Sequence, residues 1–275
     1  MAVAPPLRLK IALKTGLKSG PVAVAIYLAI MGLMIWSAYR GAQNMGYNWQ
    51  WYQIPKYIYT FTEDGFQPGE ILLGVWATIT LSLTSFILAT GLGALIAVLR
   101  LSDLIVGKAV AIGTLEFVRN IPLLVLLYLI YYVLGPVFGW GRWAAAVITL
   151  GVFHSALISE IFRAGIGSVA KGQWEAAASI GMSRVQAYRY IILPQSVRFM
   201  VPPLTGEIVH LIKSSAIVSV IAVAELTTVG RNIIADTYMS FEIWFTIAAV
   251  YLALTLIVSV SAAFIERRYN ITPLT

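Results

Sequence analysis

Eight polar side chains stand inside segments otherwise built of Leu, Ile, Val and Ala: Glu116, Arg119, His154, Ser155, Glu207, His210, Lys213 and Ser214. In hydrocarbon, a polar group without a partner is strongly disfavoured. These residues must therefore meet one another, as ion pairs that fix helix packing, or line a water-filled path for protons, ions or solutes. Spacing already groups some of them. Glu116 and Arg119 lie three apart on one helical face, as do Glu207, His210 and Lys213. The first two suit mutual neutralisation; the second set suits either a lumen stripe or an internal ion pair. His154, beside Ser155, lies deeper in its segment, as either a packed, hydrogen-bonded group or a ligand. Glu160 and Arg163 lie near a segment end and suit a structural pair. No metal site is expected, because the chain has no cysteine and no His-Glu-x-x-His, and its two histidines fall on different segments.

A second constellation, Lys171 to Arg198, reads KGQWEAAASIGMSRVQAYRYIILPQSVR and is too polar for a lipid core. An Ala- and Glu-rich stretch from Gln173 to Ile180 predicts a helix, which Gly181 interrupts with a sharp bend where a side chain would clash. Ser183 is placed to cap a second helix, and Pro194 to end it. The expected product is a helix, a turn and a helix, presented as a knob on the membrane surface.

The elements that must hold these groups follow from composition. Of 275 residues, 59% are apolar and only 11% charged, with mean hydropathy +0.83, against about 25% charged in a soluble domain. The chain is an all-α integral membrane protein. Apolar runs predict six spans: 21–39, 70–99, 109–134, 143–163, 199–224 and 241–265. Pro122 should kink or break the third, and Pro202-Pro203 should open the fifth. Gly91 and Gly93 suit close helix packing in the second. An aromatic loop at 40–69 suits the membrane–water interface, and a polar outer segment occupies 225–240. Thirteen of the 19 Lys and Arg fall on the proposed inner side, four outside (Arg40, Lys56, Arg142, Arg231) and two, Arg119 and Lys213, within spans. That bias places both termini and the 171–198 module in the cytoplasm. It also accounts for the net charge of +7 without nucleic acid. Three regions result: 1–69, with a basic N-terminus and an extra span; 70–268, the main membrane domain; and a tail, 269–275.

Glu175-Ala176-Ala177, three residues, Gly181, nine residues, Ile191, one residue and Leu193-Pro194 match the pattern EAA-x3-G-x9-I-x-LP at every fixed position. In this the chain resembles the permease subunits of binding-protein-dependent type I ABC importers. The stretches Glu116–Tyr132, Ser159–Ala177 and Val218–Gly230 resemble the polar amino-acid branch, which serves substrates such as histidine, glutamine, glutamate and arginine. Departures are Asn120-Ile121 for Gly-Thr, Ser159 for Ala, Lys213-Ser214-Ser215 for Lys-Asp-Thr, and His154 where a small or hydroxyl residue is usual.

The resemblance implies a five-helix permease core preceded by an extra helix, in a bacterial inner membrane. It implies that the EAA module docks into a groove on a cytoplasmic ATPase. The implied assembly holds two ATPases, a second permease, identical or related, and an external amino-acid-binding protein, within membrane lipid. ATP and Mg would sit on the partner ATPase and no cofactor on this subunit, which lacks a GxxxxGK[ST] sequence and is not expected to be an enzyme. A zwitterionic substrate needs a cationic or N–H partner for its carboxylate and an anionic or carbonyl partner for its ammonium. The eight intramembrane groups are the candidates, in a pocket between the third, fourth and fifth spans. A proton-coupled secondary transporter is the alternative reading of the same groups.

Overall fold

A computed structural model describes residues 20–63 and 65–268. The basic N-terminus through residue 19 and the tail 269–275 lie outside the described residues. The chain divides into two compact units, Met1–Trp49 and Gln50–Thr275. In the first, the described structure is one helix, α1 (Gly20–Asn44), with Arg40 over the Trp36 ring at 5.2 Å.

The second unit opens with a short helix α2 (Ile54–Ile58) and an exposed antiparallel hairpin, β1 (Tyr59–Thr62) and β2 (Gly65–Pro68), in which Phe61 faces Phe66. Helices then dominate: α3 (Glu70–Leu101), α4 (Ile105–Asn120), α5 (Leu123–Tyr128), α6 (Gly135–Phe138), α7 (Arg142–Gly167), α8 (Lys171–Ser179), α9 (Arg184–Ala187), α10 (Leu193–Ser214), α11 (Leu226–Thr237) and α12 (Ser240–Arg268). Five described helices or continuous helical runs are long and apolar enough to cross a membrane, and six if α4 and its successor count as one broken span.

That third span is not the straight segment 109–134. It breaks between Asn120 and Leu123 with a 107° bend. Pro122 has no N–H to continue the helix, and it pushes Ile121 into extended backbone (φ −100°, ψ 128°). Beyond it, α5 widens into a π turn, Leu129–Leu134, and runs into α6, so the outer loop at 135 begins as helix.

The fifth span also differs from expectation. Pro194 does not end a helix, and Pro202 and Pro203 do not begin one. A helical run continues from Arg184 through a π turn, Tyr188–Ile192, into α10 and then a 3-10 segment, Ser215–Ile221. The Leu193 N–H reaches the Tyr188 carbonyl, five residues back, and this wider turn gives the Pro194 ring room. The outer segment 225–240 holds a helix, α11.

The core is a packing of α3 against α7, with α10 and α11 alongside. Lipid removes the usual hydrophobic drive between helices, so close backbone approach must supply contact. A Cβ at Gly151 of α7 would stand 2.6 Å from Leu88, and one at Gly93 of α3 2.8 Å from Ile158. Gly91, by contrast, faces open space. Leu81, Leu127, Leu150 and Val218 close the centre of this packing, while Leu252, Leu256, Val260 and Phe264 of α12 stay exposed, as a lipid-facing surface requires.

Candidate functional site

Three of the eight intramembrane groups meet. His154 lies midway along α7, and Glu207 and His210 lie one turn apart on α10, which packs against α7. His154 Nδ1 is 2.5 Å from Glu207 Oε1, and His210 Nδ1 is 3.9 Å from Glu207 Oε2. The imidazole rings approach edge to face with centroids 5.4 Å apart. His154 is fully buried and Glu207 nearly so, whereas the His210 side chain is 52% exposed. The cluster is therefore a buried carboxylate between two imidazoles, open on one side. His154 Nε2 is buried without a hydrogen-bond partner.

The other candidates go elsewhere. Glu116 and Arg119 do not neutralise one another. Glu116 is exposed and accepts from Asn120 Nδ2 at 3.2 Å, across the turn before the Pro122 break. Arg119 instead reaches Glu160 at 3.9 Å. Glu160 also binds Arg100 at 2.5 Å and Arg163 at 2.9 Å, so one carboxylate gathers arginines from α3, α4 and its own helix. The Glu160–Arg163 pair is present within this larger network, and Arg119 belongs to it. The Ser155 hydroxyl is used locally, donating to the Val152 carbonyl at 2.7 Å. Lys213 is exposed and makes no ion pair among the described residues; Ser214 is half-buried at the end of α10.

Two buried carboxylates escaped the sequence reading. Glu225 caps α11, accepting from the Thr227 and Thr228 amides at 2.8 and 2.7 Å and from the Tyr251 hydroxyl at 2.8 Å. It lies between spans, and burial pushes its carboxyl above the ordinary range while these bonds pull the other way. Glu242, buried near the start of α12, accepts from the Gln50 amide at 2.6 Å. An N-cap position before Leu226 was the available signal for Glu225; nothing local marks Glu242.

The 171–198 module has a definite architecture. α8 ends in a pair of reversed bonds, Met182 N–H to the Ala177 carbonyl at 3.1 Å and Gly181 N–H to the Ala178 carbonyl at 3.0 Å. This is the Schellman arrangement, which requires a left-handed residue at the position Gly181 fills, with φ +76°. No atom of this chain would crowd a Cβ there, so conformation rather than a clash demands glycine. Ala177 is buried at 1% exposure beneath the turn, whereas Glu175, Ala176 and Ile180 point outward. Ser183 then starts α9 with a capping box, its amide donating to Gln186 Oε1 at 2.8 Å. Trp174 meets Tyr188 edge to face at 4.9 Å, and Gln195 Nε2 donates to Gln173 Oε1 at 3.2 Å, folding α8 back on the run that carries Ile191, Leu193 and Pro194. Arg184 pairs with Asp103, in the turn between α3 and α4, so the two segments assigned to the inner side lie together.

The sequence model of the family described as "Binding-protein-dependent transport system inner membrane component" matches residues 89–271. The nopaline transport system permease protein NocM of Agrobacterium fabrum is 34% identical over 201 residues, covering 69% of this chain and 83% of that protein. The glutamine transport system permease protein GlnP of Escherichia coli K12 is 38% identical over 169 residues, covering 60% and 77%. A crystal structure of an amino acid ABC transporter aligns with TM-score 0.68 at 38% identity, over 72% of this chain and 94% of that one. The MetNI methionine transporter, at 20% identity and TM-score 0.62, shares the fold. With the family match spanning α7, the module and α10, the chain belongs to the binding-protein-dependent transport system inner membrane components.

Proposed function

We propose that the chain is the membrane subunit of an ATP-driven importer of polar amino acids, and that the 171–198 module couples it to a separate ATPase. The observation carrying this is the way the module is built. Its internal contacts are satisfied by Ala177, Trp174 and the Schellman turn, yet Ile180 and Val185 stay 73% and 75% exposed at its tip. Apolar side chains on a braced, polar knob fit a partner's groove. Glu175, held by Lys171 at 3.4 Å, is available at the rim. The relatives' names, which include glutamine and nopaline permeases, support an amino-acid-like substrate.

In this reading ATP binding, with Mg, closes two partner ATPases, and the modules of two permeases move with them. The continuous helical run from Arg184 to Ile221 carries that displacement to Glu207 and His210, and the spans alternate between inward and outward openings. An external binding protein delivers the substrate. Both termini lie in the cytoplasm. The pocket lies where α7 and α10 meet, with His154, Glu207 and His210 as its polar centre and Lys213 and Ser214 one turn further on.

Co-purification with candidate ATPase subunits tests the coupling. The wild-type chain should retain the ATPase through detergent extraction, and a variant with Ile180→Asp and Val185→Asp should release it while remaining membrane-inserted. Retention by that double variant would place the ATPase contact elsewhere. The His154–Glu207–His210 cluster is also what a proton-coupled carrier would use. That reading predicts uptake abolished by a protonophore and indifferent to ATP.

A further inference from the structure

The chain contains only two histidines and no cysteine. Both histidines, 56 positions apart in the sequence, converge on the one buried carboxylate of α10. One ligand atom from each of His154, Glu207 and His210 lies within 4.8 Å of the others. The geometry points to a transition-metal site at these three residues, bridging α7 and α10.

Donor chemistry selects the class of ion. Two imidazoles and one carboxylate suit zinc or nickel, whereas magnesium and calcium take oxygen ligands. A tetrahedral zinc with ligands at about 2.0–2.1 Å places neighbouring donor atoms ~3.4 Å apart. The three donors lie within 4.8 Å of one another, but His154 Nδ1 and Glu207 Oε1 are in direct hydrogen-bond contact at 2.5 Å, so an ion replaces the proton of that bond and parts the pair slightly. His154 and Glu207 are buried, while the half-exposed His210 ring has freedom to swing onto an ion.

The second observation is the state of His154. A buried histidine kept only for packing is normally hydrogen-bonded at both nitrogens. Here Nδ1 meets Glu207 alone and Nε2 meets nothing, so no group outside the cluster hydrogen-bonds the ring. An ion would supply positive charge to a carboxylate that has only imidazoles beside it. It would also tie two packed helices at mid-span. The consequence for transport, a brake on alternating access, rests on the importer reading; the metal site itself does not.

The test uses the untagged full-length chain in detergent, stripped with chelator and titrated with zinc chloride alone. The expected result is one zinc per chain, a raised thermal midpoint, and X-ray absorption showing two imidazoles and at least one oxygen around the metal. His210→Ala, at a half-exposed position, should weaken binding by about tenfold or more and remove the thermal shift. Should that variant be unstable, His210→Gln provides the same comparison. Binding without imidazole in the absorption spectrum, binding unchanged by both variants, or no binding would overturn the site. Substrate-stimulated ATP hydrolysis in magnesium buffer freed of zinc and nickel reports on the importer reading separately.

Discussion

At the scale of the residue, the chain concentrates its intramembrane chemistry in two carboxylates. Glu207 meets two imidazoles and Glu160 three arginines, and the two differ in what a mutation leaves behind. His154→Ala strands a buried carboxylate and opens a cavity in α7, at a cost of about 3–5 kcal/mol if Glu207 stays charged. The detergent-solubilised variant should therefore melt well below wild type, and the pair His154→Leu with Glu207→Leu should recover most of the loss. A single variant as stable as wild type would show that the His154–Glu207 contact contributes little to the fold. Around Glu160, no single arginine carries the network: Arg119, at 3.9 Å and half exposed, should be replaceable by Gln with a change within about 1 kcal/mol. A larger drop in the thermal midpoint would show that Arg119 does more than share that carboxylate.

At the scale of the element, Gly181 and Gly151 illustrate two uses of glycine. Gly181 holds a left-handed turn in open space, so Gly181→Asn, which tolerates that conformation, should retain ATPase association. Gly181→Val costs about 1–2 kcal/mol locally and should lose it, as read by co-purification. Equal behaviour of the two would show that a partner, not the turn, constrains the position. Gly151→Val should instead separate α7 from α3, because Leu88 stands where the new side chain would go. The break at Pro122 and the Ser183 cap were legible in the sequence because each is a local rule acting over a few residues. The passage through Pro194 was not: a π turn that lets a helix absorb a proline has no composition signal. Nor was the His154–Glu207 contact, since residues 53 apart on different spans meet only once α7 and α10 have packed. Glu116 and Arg119 share a helical face, but spacing cannot reveal that Glu160 lies closer to the guanidinium.

At the scale of the whole molecule, two sets of contacts mark opposite ends of the α10 run. The ion pair of Arg184 with Asp103 joins the module to the turn after α3, while Arg142 and Arg231 reach the Ala222 and Ser219 carbonyls at the other end of the α10 run, at 3.2 and 3.3 Å. Single-cysteine variants need no background removal in a chain without cysteine. Arg184→Cys should label only from the cytoplasmic side and Arg142→Cys only from the outside. Labelling of both from one side would reverse or break the span order. The central claim is that displacement of the 171–198 module and access through α7 and α10 are one motion. Substrate-stimulated ATP hydrolysis in liposomes, by the chain assembled with its ATPase and binding protein, measures this most directly. Hydrolysis should rise with substrate-loaded binding protein in wild type, and Gly181→Val, mixed with the same partners and still inserted but no longer holding the ATPase, should show no stimulation. Full stimulation in that variant would contradict it.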